Sequence, residues 1–406
     1  MNVAGLKARL KTAFRMLATQ GFLWHLPDRN SPDEAIKLRS EARRLIRQRW
    51  SALLRPFAFI GASILWPLFS LHEARLLRRF GNPDAMPLDI TQRAWRAALR
   101  HNLPAAEFGA FGMWQDTAAP PDCWLYTRES ALLTAHLTNA DVADLVGDKV
   151  KFAEFCSRHG SMNVATTLAV FRDGQVAMGF DKDLPPETSL VSKPVRTSMG
   201  RGFQLWSFQD ERYTTSEAPH HRSVSASALT EALCQLSRRH PSGLMVQPTL
   251  DGHPALSALS NTGPAVARIV TGRWRNGNVE VLDAMLQRPT AGAYKTHGGP
   301  FRLIDTASGQ MVPRQPPPHV FPTATDDAAF DHIALPDWND CTSELNRLHA
   351  AIDGQAPLLG WDIVFTPEGP TILEANTTLA PYFFQLGGQR PAANGKWTSL
   401  LAGYLP

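Results

Sequence analysis

Apolar positions along the chain change period several times, and each period predicts an element. Leu6, Leu10, Ala13, Phe14 and Leu17 recur at helical spacing, with Lys7, Lys11 and Arg15 between them. This predicts a basic amphipathic helix, either lying on a membrane surface or packed on the body. Ala35, Leu38, Ala42, Leu45 and Ile46 mark a second helix. Ser31 would cap it, Pro32 would take its first position and Glu34 would close a capping box. Arg39, Arg43, Arg44, Arg47 and Arg49 make its remaining surface basic. Pro56–Leu71 then runs sixteen residues without a charge, flanked by Arg55 and by Arg75, Arg78 and Arg79. A bilayer span needs about 20 residues, and Pro67 interrupts this run. It is read first as a buried core helix, next as an interfacial or re-entrant segment, and third as a spanning helix. Gly81-Asn82-Pro83 breaks the pattern, and a further helix is expected around Thr91–Arg100.

From Asp148 the pattern alternates between helix and strand. Residues 148–160 form a helix closed by Gly160. A strand at Leu190–Ser192 runs into Lys193-Pro194 and a loop containing Gly200 and Gly202. A helix is expected over Ser223–His240, a strand over Leu244–Leu250, and an apolar strand over Ala265–Thr271. In that last strand alternation puts Val266, Arg268 and Val270 on one face. Residues 293–311 give a glycine-rich loop and a strand that could shape the acceptor side of a site, with Lys295 and His297 as candidates there and plain surface the first reading for each. Residues 312–325 are proline-rich, and Trp338–Gly354 is a helix. Gly360–Asn376 closes the series as a β-hairpin, with Ile363–Phe365 and Thr371–Leu373 as its strands. A three-residue loop, Pro367-Glu368-Gly369, would pair Thr366 with Pro370 and place Asp362 opposite Glu374. Asp362, Glu374 and Asn376 would then share a face with Val364 and Ile372.

Composition is that of a globular chain: 406 residues, 44% hydrophobic and 19% charged. Length alone allows roughly two or three domains. Four cysteines are scattered without metal-ligand spacing and suit reduced thiols in a cytoplasmic protein. Charge is uneven. Residues 1–100 carry 18 Lys and Arg against 7 Asp and Glu, whereas the remainder carries 23 against 30. A basic N-terminal part points to an anionic contact. No zinc finger or RNA-binding signature is present, so an anionic membrane surface, the inner face of the membrane, ranks above nucleic acid.

Chemistry concentrates in the hairpin. Acids within apolar strands are costly unless paired, and three oxygen ligands without Cys or His suit Mg²⁺. The Asp362, Glu374 and Asn376 pattern, with its GWD opening and EAN close, resembles the ATP-grasp superfamily, most closely its sugar-transfer-associated branch. The resemblance covers roughly the last 260 residues. It implies an α+β fold in which two lobes clamp ATP, with these three residues holding its Mg²⁺. Lys149 and Lys193 would reach ATP phosphates, and the Gly200–Gly202 loop would cradle them. Gln247 would lie in the adenine hinge, with Asp251 a candidate ribose contact. Arg268 would hold the γ-phosphate or a reacting carboxylate. The expected organisation is a basic helical region (1–80), a pre-grasp region (81–145), an N-terminal lobe (146–247) and a C-terminal lobe (248–406).

The resemblance implies an ATP- and Mg²⁺-dependent ligase. It would join a small-molecule carboxylate to an amine or thiol through an acylphosphate, in cell-surface polysaccharide or sugar-conjugate biosynthesis. A kinase on the same architecture is the alternative, followed by a non-catalytic nucleotide-binding protein at the membrane.

Overall fold

The structure, a computed structural model, describes residues 32–80, 86–101, 103–115, 119–179, 188–197, 200–215, 222–259, 262–290, 292–296, 298–313, 328–388, 390–393 and 395–406. The basic helix expected within the first 27 residues, Ser31, His297 and most of the proline-rich 312–325 stretch lie outside these residues.

Two sheets organise the chain. The first has seven strands: β2 (Ala169–Arg172), β3 (Gln175–Gly179), β4 (Leu190–Pro194), β5 (Gln204–Gln209), β6 (Arg212–Thr215), β7 (Arg222–Ser225) and β8 (Leu244–Pro248), in the order β3-β2-β8-β4-β5-β6-β7. The helix Ala226–Ser237 covers one of its faces through Leu229, Leu233 and Leu236. The second has six: β1 (Asn163–Val164), β9 (Val266–Arg273), β10 (Val279–Gln287), β11 (Phe301–Ile304), β12 (Leu358–Thr366) and β13 (Gly369–Asn376), in the order β1-β13-β12-β9-β10-β11. Only β1 and β13 run parallel among the described strand pairs. Thus β1, from the stretch assigned to the first lobe, completes the sheet of the second.

Every residue of β12 is buried, because the six-stranded sheet is covered on both faces. Leu359, Trp361, Ile363 and Phe365 pack with Ala267, Ile269 and Leu286 under the helices Lys149–His159 and Trp338–Ala351. On the other face Val270, Leu282, Met285 and Leu358 join Phe384, Trp397 and Leu400. The same core takes in the N-terminal helices Asp33–Gln48, Arg55–Phe80, Ile90–His101 and Thr127–Leu137. From residue 32 on, the N-terminal region is therefore built into this sheet's core.

Three local expectations are corrected. The hairpin closes Thr366 on Gly369, one residue earlier than expected, although Gly369 does take the positive φ, +112°. Ile372 then pairs with Ile363 and faces the core. A bulge at Leu373 shifts the register, so that Glu374 still meets Asp362. In the Asp33–Gln48 helix, Pro32 is the cap residue, and the Glu34 carboxylate accepts from Ser399 Oγ at 2.7 Å without closing a box. Arg39, expected on an exposed basic face, is buried and donates to the Trp124 carbonyl at 2.8 Å, beside Glu129 and Asp122.

A buried polar chain fixes β12 to its neighbours. Trp361 Nε1 donates to Thr271 Oγ1, which donates to His349 Nδ1, and His349 Nε2 donates to the Ala356 carbonyl, each at 2.8 Å. A neutral imidazole with its proton on Nε2 satisfies that chain. Burial pushes the His349 pKa down to about 4, with the Ala356 carbonyl opposing the shift and Arg273 adding to it. The unfolded ring, near 6.5, takes up a proton that the folded ring refuses. This contribution to stability is complete above about pH 6.5 and is lost as pH falls toward 4. Between pH 7 and 5 His349 should remove on the order of 2 kcal/mol from unfolding free energy. His349→Gln should flatten that slope in denaturant titrations, and an unchanged slope would remove His349 from the pH dependence.

Candidate functional site

Alternation along the strands and register across them produce one transverse row of side chains. Met285 on β10 stands opposite Arg268 on β9, Arg268 opposite Asp362 on β12, and Asp362 opposite Glu374 on β13. Asn376 lies two residues beyond Glu374, on the same face by strand alternation, opposite Gly360. Arg268 binds Asp362 through both carboxylate oxygens, Nε at 2.8 Å and Nη2 at 2.9 Å. The Asp362 carboxylate, with burial opposing, holds the Arg268 guanidinium firmly protonated. The third nitrogen, Nη1, takes no part in this fork, and 38% of the side chain remains exposed.

Two lysines reach the same row from outside the six-stranded sheet. Asp148 caps the Lys149–His159 helix by accepting from the Val150 and Lys151 amides, both at 3.2 Å, and so fixes Lys149 in its first turn. The Lys149 amine donates to the Thr197 carbonyl at 2.7 Å and lies 3.6 Å from Glu374 Oε2. Lys193, on β4 of the seven-stranded sheet, lies 3.9 Å from the same oxygen. Burial pushes the Lys193 ammonium down, Glu374 pulls it back up, and Lys149 lowers it again. Three cations and two anions leave the cluster with one net positive charge.

The loop after β4 adjoins this cluster through Thr197. Gly200 and Gly202 have φ of +62° and +73°, a region side-chain-bearing residues rarely occupy. A Cβ on Gly202 would also strike Pro194 and His240 at 2.7 and 2.8 Å. Across from it, Lys295 Nζ donates to the Gly200 carbonyl at 3.4 Å and lies 4.8 Å from the Phe203 ring centre. Tyr294 stacks on Phe203 with ring centres 5.9 Å apart, and its hydroxyl accepts from the Leu250 amide at 3.1 Å. Sequence alone ranks Lys295 as a candidate behind plain surface and passes over Tyr294. The aromatic residue beside a lysine in a glycine-rich loop was the available signal.

Of the residues singled out from sequence, Lys149, Lys193, Arg268, Asp362 and Glu374 come together. Asn376 lies one strand step away, and the glycine loop adjoins them. Gln247 does not join: its side chain is buried and donates to the Ala165 carbonyl at 2.9 Å. Asp251 is exposed just beyond β8.

The donor set suits a hard divalent cation. Two carboxylates on adjacent strands and an amide oxygen on the next step supply only oxygen. Among the described residues no group of three or more His, Cys, Asp or Glu side chains offers an alternative metal site. The same carboxylates now carry Arg268 and the two lysines, so cationic partners already occupy that face.

The model of the sugar-transfer associated ATP-grasp family matches residues 128–395. No curated protein matches the chain. Similar solved structures include the D-cycloserine synthetase DcsG, 13% identical, with 67% of this chain and 76% of that one covered and a TM-score of 0.38. An ATP-grasp superfamily protein from Archaeoglobus fulgidus is 14% identical over 66% of this chain, with a TM-score of 0.33. An L-amino acid ligase from Bacillus licheniformis is 14% identical over 79%, with a TM-score of 0.33. The chain spans 56% and 55% of the latter two proteins.

Lys193→Ala should weaken ATP binding about 10- to 100-fold, the scale of one charged hydrogen bond, a larger effect than its loss of thermal stability. Calorimetry showing unchanged ATP affinity would make Lys193 a structural partner of Glu374 only.

Proposed function

The chain belongs to the sugar-transfer-associated ATP-grasp family, and on that premise we propose that it is an ATP- and Mg²⁺-dependent carboxylate–amine ligase. The observation that carries this reading is the charged row: Arg268, Asp362 and Glu374 across one sheet, met by Lys149 and Lys193. Such a cluster suits phosphate oxygens, because its net charge is positive and its geometry is fixed before the ligand arrives.

Lys149 and Lys193 would hold ATP phosphates, with backbone N–H groups of the Gly200–Gly202 loop beside them. Asp362, Glu374 and Asn376 would hold Mg²⁺, which when bound neutralises phosphate charge and draws two phosphates into one geometry. Arg268 keeps its fork on Asp362 and offers Nη1 to the transferring group. An oxygen of the substrate carboxylate attacks the γ-phosphorus, the bond from that phosphorus to the β–γ bridging oxygen breaks, and ADP leaves. The amine nitrogen then attacks the acyl carbon, the carbon–oxygen bond to phosphate breaks, and inorganic phosphate leaves as nitrogen loses a proton. The chain's contribution is positioning and charge neutralisation, and no covalent protein nucleophile is required. The family's association with sugar transfer favours a sugar-linked carboxylate or amine as substrate.

Hydroxylamine distinguishes this reaction from phosphorylation of a hydroxyl. With a panel of amino acids and sugar acids, a carboxylate that turns over should give a hydroxamate, ADP and free phosphate. Arg268→Ala should lower that turnover at least about 100-fold, the loss typical of one preorganised donor, and ATP affinity less than tenfold. A stable phosphorylated product, with no hydroxamate from any carboxylate, would identify a kinase.

A further inference from the structure

The Arg55–Phe80 helix is apolar on both faces, and only one face is covered. Ala58, Ala62, Trp66, Ser70, Ala74 and Leu77 are buried at spacings of three and four. Trp66 Nε1 donates to the Ala98 carbonyl at 3.1 Å, and Trp95 Nε1 to the Pro67 carbonyl at 3.0 Å, so this face is locked to the Ile90–His101 helix. The opposite face carries Phe57, Ile60, Ile64 and Leu68, exposed by 72, 55, 60 and 64%. Leu53 and Leu54, in the turn before the helix, are exposed by 85 and 53%. The reading of this run as a buried core helix is thereby corrected: 28% of its most apolar stretch is buried. Leaving so many large apolar side chains in water along one stripe is costly.

We propose that this face docks on an anionic phospholipid bilayer, with the helix lying parallel to the membrane plane. The stripe continues, at helical spacing, into the exposed Arg75 and Arg78, whereas Arg55 lies on the other side and donates from Nε to the Arg47 and Trp50 carbonyls, both at 3.1 Å. Arginines at the end of an apolar stripe can lay their stems on the acyl boundary and set their guanidinium groups among lipid phosphates. Glu73 is the sole acid between residues 51 and 80, and it is partly buried. The basic excess of the first 100 residues adds long-range attraction to such a surface. A second copy is a poorer occupant. The face carries Arg75 and Arg78 and, among the described residues of the helix, no exposed acid, so a second copy would bring only like charge to it. Spanning is excluded by the locked face, since it would strip Trp66 and Trp95 of their partners and carry Glu73 into hydrocarbon.

Co-sedimentation of the full-length protein with vesicles tests this. Wild-type protein should bind vesicles of phosphatidylcholine with phosphatidylglycerol, and bind them less as salt rises. Ile64→Glu/Leu68→Glu changes only exposed positions and should keep the melting temperature while lowering the bound fraction at least about tenfold. Arg75→Gln/Arg78→Gln should weaken binding to phosphatidylglycerol vesicles about fivefold per arginine and leave binding to pure phosphatidylcholine unchanged. No wild-type binding would overturn the proposal, as would Ile64→Glu/Leu68→Glu binding at wild-type level. A dimer in solution that this double variant dissociates, with neither form binding vesicles, would assign the face to a second copy.

Discussion

Asp362 and Glu374 face each other across one hairpin, in a sheet buried on both sides. Like charges at that spacing repel, and the surrounding core offers little water to screen them. Their coexistence requires cations, and the fold brings these from three places: Arg268 from the neighbouring strand, Lys149 from the head of a helix, and Lys193 from the other sheet. Glu374 is therefore the point at which the two sheets meet electrostatically. The arrangement is self-consistent without a ligand and is also suited to a polyanion that arrives with its own counter-cation. Oxygens now shared among protein cations would then be shared with that ion, and the lysines would turn to phosphate.

The surrounding structure keeps this row in place. The Trp361–Thr271–His349 chain pins β12 one residue from Asp362. Asp148 caps the helix that carries Lys149, and its other carboxylate oxygen takes Arg196 at 3.2 Å, just ahead of the glycine loop. Tyr294 and Lys295 tie that loop to the strand end at Leu250. From residue 32 on, the N-terminal helices pack on the same face of the sheet as the charged row, against Val270, Met285 and Leu358, so this part of the basic region belongs to the body that presents the site.

Much of this was legible in the sequence because it depends on local rules. The hairpin residues and the Pro-Glu-Gly turn were enough to put Asp362 opposite Glu374, and alternation in β9 gave the face of Arg268, but only the sheet pairing sets β9 beside β12. Register inside the hairpin was not legible: the turn closes one residue early and the Leu373 bulge compensates, two errors that cancel at Glu374 but leave Ile372 on the wrong face. Gln247 lies in the hinge strand, and what its side chain does was not legible: the amide is taken up by a carbonyl 82 positions away in sequence, which leaves the backbone of the hinge for a ligand. Arg39 looked exposed for the same reason, since its partners at Asp122, Trp124 and Glu129 lie far along the chain. The apolar run after Arg55 has no periodicity that distinguishes its covered face from its bare one. Only the packing of Trp66 and Trp95 decides it.

The central claim is that Glu374 serves both as counter-ion to the lysines and as ligand to the nucleotide's metal. Titrating a non-hydrolysable ATP analogue into wild-type protein and Glu374→Gln, with and without Mg²⁺, tests it most directly. Wild-type affinity should depend strongly on Mg²⁺. In the variant, affinity without Mg²⁺ should equal or exceed wild type, because Lys149 and Lys193 have lost their competing carboxylate, and the gain from Mg²⁺ should largely vanish. The same Mg²⁺ dependence in both proteins would contradict the account.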